Sequence, residues 1–447
     1  MIVSSQSVAK IEQPGVADWY KSLTIPLLVT GLALVALVGI VSPGAGLTIF
    51  ATIVCITLYQ ADLYVAVPFM VTLLPFDFHR QVQGQWVYLD FALLGLVFPL
   101  AKLPLRVPKM ILMFIPYFAF FTLSGAWRSL NPTWFWAYVI RWFIGLILAY
   151  AICSLKDRES VILALGGTLV PLCLYAAYQL LIGNFGSLWE WMFPHRLELA
   201  WIPRARAFLS WPNEYGYFCS AVTSMLLALA ARGYRRKLCL LFSTAGIIGL
   251  ILSGSRGAML GLAVALIFLV FESKVFVRTF FFVLPIALFL SLFSLYPTQL
   301  LDRSEDPVTT TEGRMMAWTG AIMAFAQHPL IGIGSRNLQI MMFDFVDEAN
   351  VAAHNAYLQI LAENGVVGFV LFFGPFVYLL QYAWKNKTDR AVLAALLALL
   401  VFCIHGLFDN LMIVGEPSCV LLFFCALGFA SRAVPSHGGY SNVALSS

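Results

Sequence analysis

Charge is what this sequence has least of. Asp, Glu, Lys and Arg make up 11% of its 447 residues, where a soluble domain carries roughly 25%. With 61% hydrophobic residues and a mean hydropathy of +0.87, no soluble fold of this length could cover its apolar surface. Lipid must therefore be the solvent for most of the chain. The excess of 27 Lys+Arg over 22 Asp+Glu is too small for a nucleic-acid binder, so no nucleic-acid partner is expected. The eight cysteines all fall in apolar runs, none at C-x-x-C spacing or beside a His in a zinc-like pattern. They read as small apolar fillers, with neither a disulfide framework nor a metal centre expected. Repeats, low-complexity tracts and flexible linkers are also lacking. The polar stretch ending near Lys21 leads into an apolar run with no small-residue cleavage site after it, so no cleaved signal peptide is expected.

What the chain does have is apolar runs. About fourteen are long enough to cross a bilayer, or nearly so, near 22–42, 45–60, 63–77, 87–101, 109–125, 134–154, 160–182, 213–232, 238–253, 257–272, 278–297, 366–384, 390–408 and 414–431. The second to fourth are short, and tilted, re-entrant or merged segments are alternatives there. The expected fold is an all-α polytopic bundle of about 12–14 spans. Its orientation follows from five basic short loops: Lys102 to Lys109, Lys156 to Arg158, Arg232 to Lys237, Lys274 to Arg278, and Lys385 to Arg390. One registration, with the N-terminus cytoplasmic, puts all five inside, as the positive-inside rule asks.

That registration leaves two larger polar segments outside, about 184–212 and 298–365. The second is longer than a connection needs, and such loops are usually functional. It contains a plausible amphipathic helix, N-capped among Thr309 to Thr311, with Met315, Trp318, Ile322 and Phe325 at helical spacing and a stop at His328-Pro329. Gly332 and Gly334 predict a turn. A second helix is expected to open near His354-Asn355 and to stop at Asn364-Gly365 with an αL cap.

Arginines on the disfavoured side are the first chemical signal: Arg196, Arg204, Arg206, Arg256, Arg303, Arg314 and Arg336. Arg256, in Ser253-Gly254-Ser255-Arg256-Gly257, sits at a near-loopless junction of two apolar runs. A guanidinium there suits bidentate phosphate binding, although snorkelling to lipid headgroups is the bland alternative. Arg204-Ala-Arg206 leads into Trp211-Pro-Asn213 and a helix start, where Asn213 reads equally as a helix cap. His354 is an imidazole at the return of the loop to the membrane, suited to general-base work on a hydroxyl near neutral pH, or else a helix-start residue. Glu363 is a second candidate base, though its place beside Asn364-Gly365 favours capping. His328 and His195 are loop histidines without a visible partner. His405, Asp409 and Asn410 either line the same cavity or form a helix-end polar cluster. Arg141 is a conspicuous charge within the sixth run. Together, cations and one imidazole on one face suit a donor carrying a diphosphate at the membrane surface, its developing charge neutralised by arginine. No Asp-x-Asp motif occurs in the outer loops, so no metal and no other cofactor is expected.

The stretch His354-Asn-Ala-Tyr-Leu-Gln-Ile-Leu-Ala-Glu-Asn-Gly-Val-Val-Gly368, preceded by Trp318 and Pro329-Leu-Ile-Gly-Ile-Gly334, resembles the signature of the bacterial O-antigen ligase/Wzy polymerase (Wzy-C) superfamily. Ser253-Gly-Ser-Arg-Gly-Ala258 and Arg206-Ala-Phe-Leu-Ser-Trp-Pro-Asn213 are similar to further blocks of it, in order and spacing over about 200–430. The resemblance implies a GT-C-like bundle with N-terminal transmembrane helices over 1–199, a Wzy-C-like membrane domain over 200–432 that includes a helical periplasmic cap at 298–365, and a cytoplasmic tail at 433–447. It implies a multi-pass protein of the bacterial inner membrane, both termini cytoplasmic. Such enzymes move glycan from undecaprenyl diphosphate to an acceptor hydroxyl, with inversion and without metal or nucleotide. The acceptor is lipid A–core, another glycan or a protein Ser/Thr.

Carried over by motif, the essential His is His354. The diphosphate-binding arginines are Arg206, with Arg204 interchangeable by eye, and Arg314, with Arg303 the alternative. Arg256 matches the Ser-Arg-Gly block. Asn355, Tyr357, Glu363 and Arg336 would line the acceptor side. The competing reading is a polytopic transporter or flippase of a lipid-linked saccharide, for which inverted repeats would be expected, and a scaffold is a third.

Overall fold

The computed structural model describes residues 63–75, 79–82, 85–101, 107–182, 204–272, 311–346, 352–410 and 417–431. The apolar runs expected at 22–42, 45–60 and 278–297, the polar segment before 204 and both termini lie outside the described residues. In chain order the helices are α1 (Leu63–Val71), α2 (Val97–Leu100), α3 (Lys109–Leu112), α4 (Ile115–Arg128), α5 (Pro132–Cys153), α6 (Glu159–Ile182), α7 (Pro212–Ala231), α8 (Arg236–Ser253), α9 (Arg256–Glu272), α10 (Thr311–Gln327), α11 (Leu338–Met341), α12 (Phe343–Val346), α13 (Ala356–Lys385), α14 (Arg390–His405) and α15 (Pro417–Ala430).

The molecule is the helical membrane bundle that the apolar runs predict. Among the described residues, five helical stretches are long and apolar enough to cross a bilayer: Lys109–Arg128, Pro132–Cys153, Glu159–Leu181, Arg236–Ser253 and Ala356–Lys385. Of the weaker runs, the one at 63–77 contains, among the described residues, the nine-residue α1, which starts at the first described residue of that segment. The run at 87–101 begins in a hairpin, β1 (His79–Val82) with β2 (Gln85–Tyr88), and continues as a 3-10 turn over Leu89–Leu96 into α2. It is not a single transmembrane helix.

α7 is the axis of the bundle, buried from Glu214 through Ala230. It is rich in Gly, Ala, Ser and Thr, and small residues let helices approach closely where lipid supplies no hydrophobic drive. α8 answers with glycines: a Cβ at Gly249 would stand 2.3 Å from the Tyr215 hydroxyl, and one at Gly246 2.1 Å from Thr223 Oγ1. α5 and α15 meet in the same way, Gly145 receiving Phe424. Between them an aromatic layer fills the core, with ring centroids of Tyr117 and Trp142 at 5.2 Å, Trp142 and Phe424 at 5.3 Å, and Phe114 and Phe423 at 5.7 Å. Cys153, Cys219, Cys419 and Cys425 are buried among these packed faces.

The described basic loops gather at one end. Arg158 pairs with Asp389 at 2.9 Å and donates to the Phe429 and Ser431 carbonyls that close α15. Glu272 holds Arg232 at 3.2 Å and Lys387 at 2.5 Å. Lys109 lies over the ring of Tyr378, at 5.7 Å from its centroid, near the same end of α13. The starts of α7, α9, α13 and α15 and the ends of α4, α6, α8 and α14 lie at the other end, where the cap elements α10 and α11 pack on α13 and α12 packs on α10 and α11.

Candidate functional site

At that second end, four segments distant in sequence converge: 204–213, 253–257, 354–359 and 405–410. The first anchor is a helix cap. The Asn355 side chain accepts from the backbone N–H groups of Tyr357 and Leu358 (3.0 and 3.1 Å) and opens α13. Its Nδ2 donates to the Leu407 carbonyl at 3.2 Å, while Ala356 N–H donates to the Gly406 carbonyl at 2.8 Å. The Tyr357 hydroxyl donates to the Cys403 carbonyl at 2.9 Å. The start of α13 is thus clipped to the last turn of α14. His354, immediately before the cap, takes a positive φ of 46°, a conformation uncommon outside glycine.

The clip brings Asp409 to His354, Oδ1 lying 3.7 Å from Nδ1. The other carboxylate oxygen accepts from Asn213 Nδ2 at 2.7 Å. Asn213 Oδ1 in turn accepts from Arg204 Nη2 at 2.6 Å, and Arg204 Nε donates to the Ser253 carbonyl at 2.9 Å. A polar relay therefore runs Ser253, Arg204, Asn213, Asp409, His354. Burial works to raise the Asp409 carboxyl, but the His354 imidazole facing it, His405 and the Asn410 N–H outweigh it. Its pKa is held down to about 2. Asp409 is buried, 4% exposed, while His354 keeps 29% of its side chain accessible, so the anion is shielded and the imidazole is reachable. A small pocket beside them is lined by Tyr217, Ala356, Phe402, His405, Gly406, Asp409 and Cys419. His405 and Asp409 thus share one small cavity. Asn213 does not cap α7: Trp211 occupies that position, and the amide spans the relay instead.

The arginines fall into two groups. Arg206 is buried, its Nη1 3.3 Å from the Ser210 carbonyl, while Ser210 N–H donates to Glu214 Oε2 at 3.0 Å. Glu214 also accepts from Ser418 at the start of α15. Arg256 is exposed and opens α9, and the next residue, Gly257, packs on Phe408 and His405. Arg314, on α10, is half-buried, and its charge reaches His405. Arg204 is tied to the end of α14 through Asn213 and Asp409, Arg256 through its neighbour Gly257, and Arg314 through its charge on His405, while Arg206 lies against Gln179 and Ser210. Arg336 stands apart, with its guanidinium 5.7 Å from the ring centroid of Tyr138 and its charge acting on Glu363. Arg141 is buried in α5, near the same Tyr138. Arg303, Arg196 and His195 lie outside the described residues. His328 is exposed at the end of α10.

Glu363 is fully enclosed. Its Oε1 accepts from Gln359 Nε2 at 2.7 Å and from Leu338 N–H at 3.3 Å, the first residue of α11. The capping role read from the sequence is real, but it serves α11 rather than its own helix. Gln359 Oε1 accepts from Asn410 Nδ2 and Ala353 N–H, which ties Glu363 back to the segment around His354.

The expected stop at Asn364-Gly365 is a break rather than an end. Gly365 has φ 63° and ψ −168°, a region open essentially to glycine alone and not an αL cap, and α13 resumes immediately beyond it. The Pro329–Gly334 turn crosses this break: Ile333 and Gly334 N–H groups donate to Ala362 and Glu363 carbonyls, and Val366 and Val367 N–H groups donate to Pro329 and Leu330 carbonyls, all within 3.1 Å. The turn and the break fit because both glycines lack a Cβ. One at Gly332 would fall 2.3 Å from Glu363 C, and one at Gly365 2.4 Å from Leu330 C.

Residues 239–373 match the family described as O-antigen ligase, Wzy_C. The chain is also 28% identical over 147 residues to an O-antigen ligase of Pseudomonas aeruginosa, an alignment covering 33% of this chain and 35% of that protein. The chain thus spans about a third of the length of the curated relative it matches. The resemblance to the O-antigen ligase/Wzy-C superfamily read from the motifs holds over this region.

Proposed function

We propose that this protein is an extracytoplasmic glycan transferase that moves a glycan from an undecaprenyl-diphosphate-linked donor to an acceptor hydroxyl, as a ligase or a polymerase. The observation that carries the reading is the buried Asp409 against the accessible His354, linked through Asn213 to Arg204, at the end of the bundle opposite the basic loops. Gathering of Lys and Arg at the other end supports the inside assignment for that end and the periplasmic assignment for this one.

In the proposed reaction, His354 takes the proton of the acceptor hydroxyl as its oxygen attacks the anomeric carbon. The bond from that carbon to the diphosphate oxygen breaks, and undecaprenyl diphosphate leaves from the opposite face, with inversion. With Asp409 facing Nδ1, Nε2 is the nitrogen left to receive the proton, and the carboxylate stabilises the imidazolium that forms. Arg206, Arg314 and Arg256 hold the diphosphate and neutralise the charge it gains on leaving. Arg204 and Arg206 are both engaged by protein groups, and Arg206 is proposed as the donor-binding arginine of that block from the motif, with Arg204 the alternative. Arg303, the alternative to Arg314, is a proposal from motif alone. Asn355 and Tyr357 shape the site through backbone contacts, and Glu363 and Arg336 support the cap.

The test is transfer by purified protein from undecaprenyl-diphosphate glycan, in EDTA, with and without lipid A–core. Labelled core would establish a ligase, and longer lipid-linked chains without core a polymerase. Absence of both products from folded protein would contradict the reading and favour a transporter or a protein acceptor.

A further inference from the structure

The Pro329–Gly332 turn combines two properties that rarely occur together in a surface loop. Its backbone acceptors are satisfied by protein, and its side chains are apolar and bare. The Pro329 and Leu330 carbonyls accept from Val366 and Val367 N–H at 2.9 and 3.1 Å. The Gly332 carbonyl accepts from Arg128 Nη2 at 2.7 Å, and Ile331 O lies 3.5 Å from Arg128 Nη1. Four consecutive carbonyls thus have protein donors. Yet Leu330 is 69% and Ile331 48% exposed. In water, an ordinary turn turns its carbonyls to solvent and carries polar side chains. Non-helical backbone at membrane depth needs the reverse, its polar groups met by protein.

The position agrees. The turn lies against the two ends of the spans that flank it. Below it, on α13, Val366, Val367 and Val370 are exposed, and on α4, Leu123 and Trp127 are exposed, Trp127 at 82%. The two helices pack where Gly368 meets Phe120. Exposed apolar side chains on two candidate spans thus reach the level of the turn, with the Arg128 guanidinium turned onto its carbonyls. From Lys385, in the basic loop at the other end, to Val366 is about 29 Å of helix at 1.5 Å per residue, close to the roughly 30 Å hydrocarbon thickness. Val366 thus falls at the hydrocarbon boundary, and the turn lies level with it. Exposed Trp127, Trp134 and Trp136 sit where an interfacial aromatic belt is expected.

We infer that the Leu330–Ile331 turn is inserted into the bilayer, its two side chains among lipid acyl chains at the boundary. The cap is then not a free aqueous lobe. It is tethered to the membrane at the turn that crosses Gly365, and through Glu363, Gln359 and Asn410 that tether is continuous with the loop that carries His354. The height of the imidazole above the membrane is fixed by the same contact.

The test uses full-length protein in phosphatidylethanolamine/phosphatidylglycerol liposomes, spin-labelled at Leu330→Cys or Ile331→Cys. Collision with oxygen and with an aqueous nickel chelate is measured, with signal from protein lacking the added cysteine subtracted. Val370→Cys serves as the lipid-facing reference and Lys237→Cys as the aqueous one, and Trp127→Cys replaces either turn variant that fails to elute as folded protein. Oxygen access near that of the Val370 label, with chelate access at least fivefold below that of the Lys237 label, is the expected result. Chelate access equal to that of the Lys237 label would overturn the inference by placing the turn in water. Low access to both reagents would overturn it too, by showing protein, such as a second copy, over the turn.

Discussion

Asn213 donates to Asp409 across 196 residues of sequence, at 2.7 Å, and so holds the carboxylate whose other oxygen faces His354. The amide can do this only because its own oxygen is occupied by Arg204, which fixes which end of the amide points at Asp409. The relay positions an anion rather than carrying a proton along its length. Asn213 and Arg204 are positioning residues, acting on the acceptor hydroxyl through Asp409 and His354.

Replacing Asn213 with Leu, which cannot donate, should therefore lower kcat for transfer by about 10–100-fold with little change in donor KM, since general-base assistance contributes roughly 10²–10⁴-fold when intact. Arg204→Ala should show the same pattern. Arg314→Ala and Arg256→Ala should instead raise the donor KM, each about tenfold or more, because a hydrogen bond to a charged group is worth about 1.5–3 kcal/mol. Steady-state kinetics on the four variants separates the groups, and a KM effect for Asn213→Leu would remove it from the relay.

Asp409 sets a pH dependence of stability. Its pKa lies at about 2 in the folded protein against an ordinary 3.8, so the stabilisation it gives is complete above about pH 4 and disappears as pH falls toward 2. Thermal unfolding in detergent at pH 4.5 and pH 2.5 should show wild type losing more than Asp409→Asn between the two. Equal losses would mean that the carboxylate gains nothing from its neighbours.

Gly332 and Gly365 should reject any Cβ. Both have positive φ and backbone atoms within 2.4 Å of where it would stand, so alanine at either should cost about 1–3 kcal/mol in strain before the clash is counted. Gly167, inside α6 with nothing near it, should accept alanine and gain about 0.5–1 kcal/mol of helix stability. Melting temperatures of the three purified variants check the contrast.

Sidedness is open to labelling. Lys237→Cys, in the basic cluster, should react with an impermeant maleimide only after the inner membrane is permeabilised, while a cysteine at Met315 on α10 should react in intact spheroplasts. Inverted labelling would reverse the proposed orientation.

Much of this was legible in one dimension. Apolar runs located the described spans of α4 to α6, α8 and α13 because lipid-facing and core-facing residues are alike apolar. The basic loops found their common end because charge is nearly excluded from the spans between, Arg141 in α5 being an exception. His328-Pro329 ends α10 at Gln327 since Pro disfavours a helical residue before it. The relay was not legible. Asn213 looks like a cap and Asp409 like a helix-end polar residue because their partner is chosen by the packing of α7 on α14, which no spacing encodes. The break at Gly365 was found but misjudged as an end: glycine signals unusual φ, while continuation depended on Pro329 and Leu330 carbonyls supplied from another segment. The run at 87–101 looked like a span by hydropathy alone, and its strand and 3-10 geometry carried no periodic signature.

The most direct test of the account is transfer from a purified undecaprenyl-diphosphate glycan, comparing wild type with His354→Ala and Asp409→Asn at matched, folded protein. The account predicts product from wild type, none detectable from His354→Ala, and a rate at least about 10²-fold lower for Asp409→Asn. Equal product from wild type and His354→Ala would contradict it, since among the described residues no other imidazole is both accessible and facing a buried carboxylate.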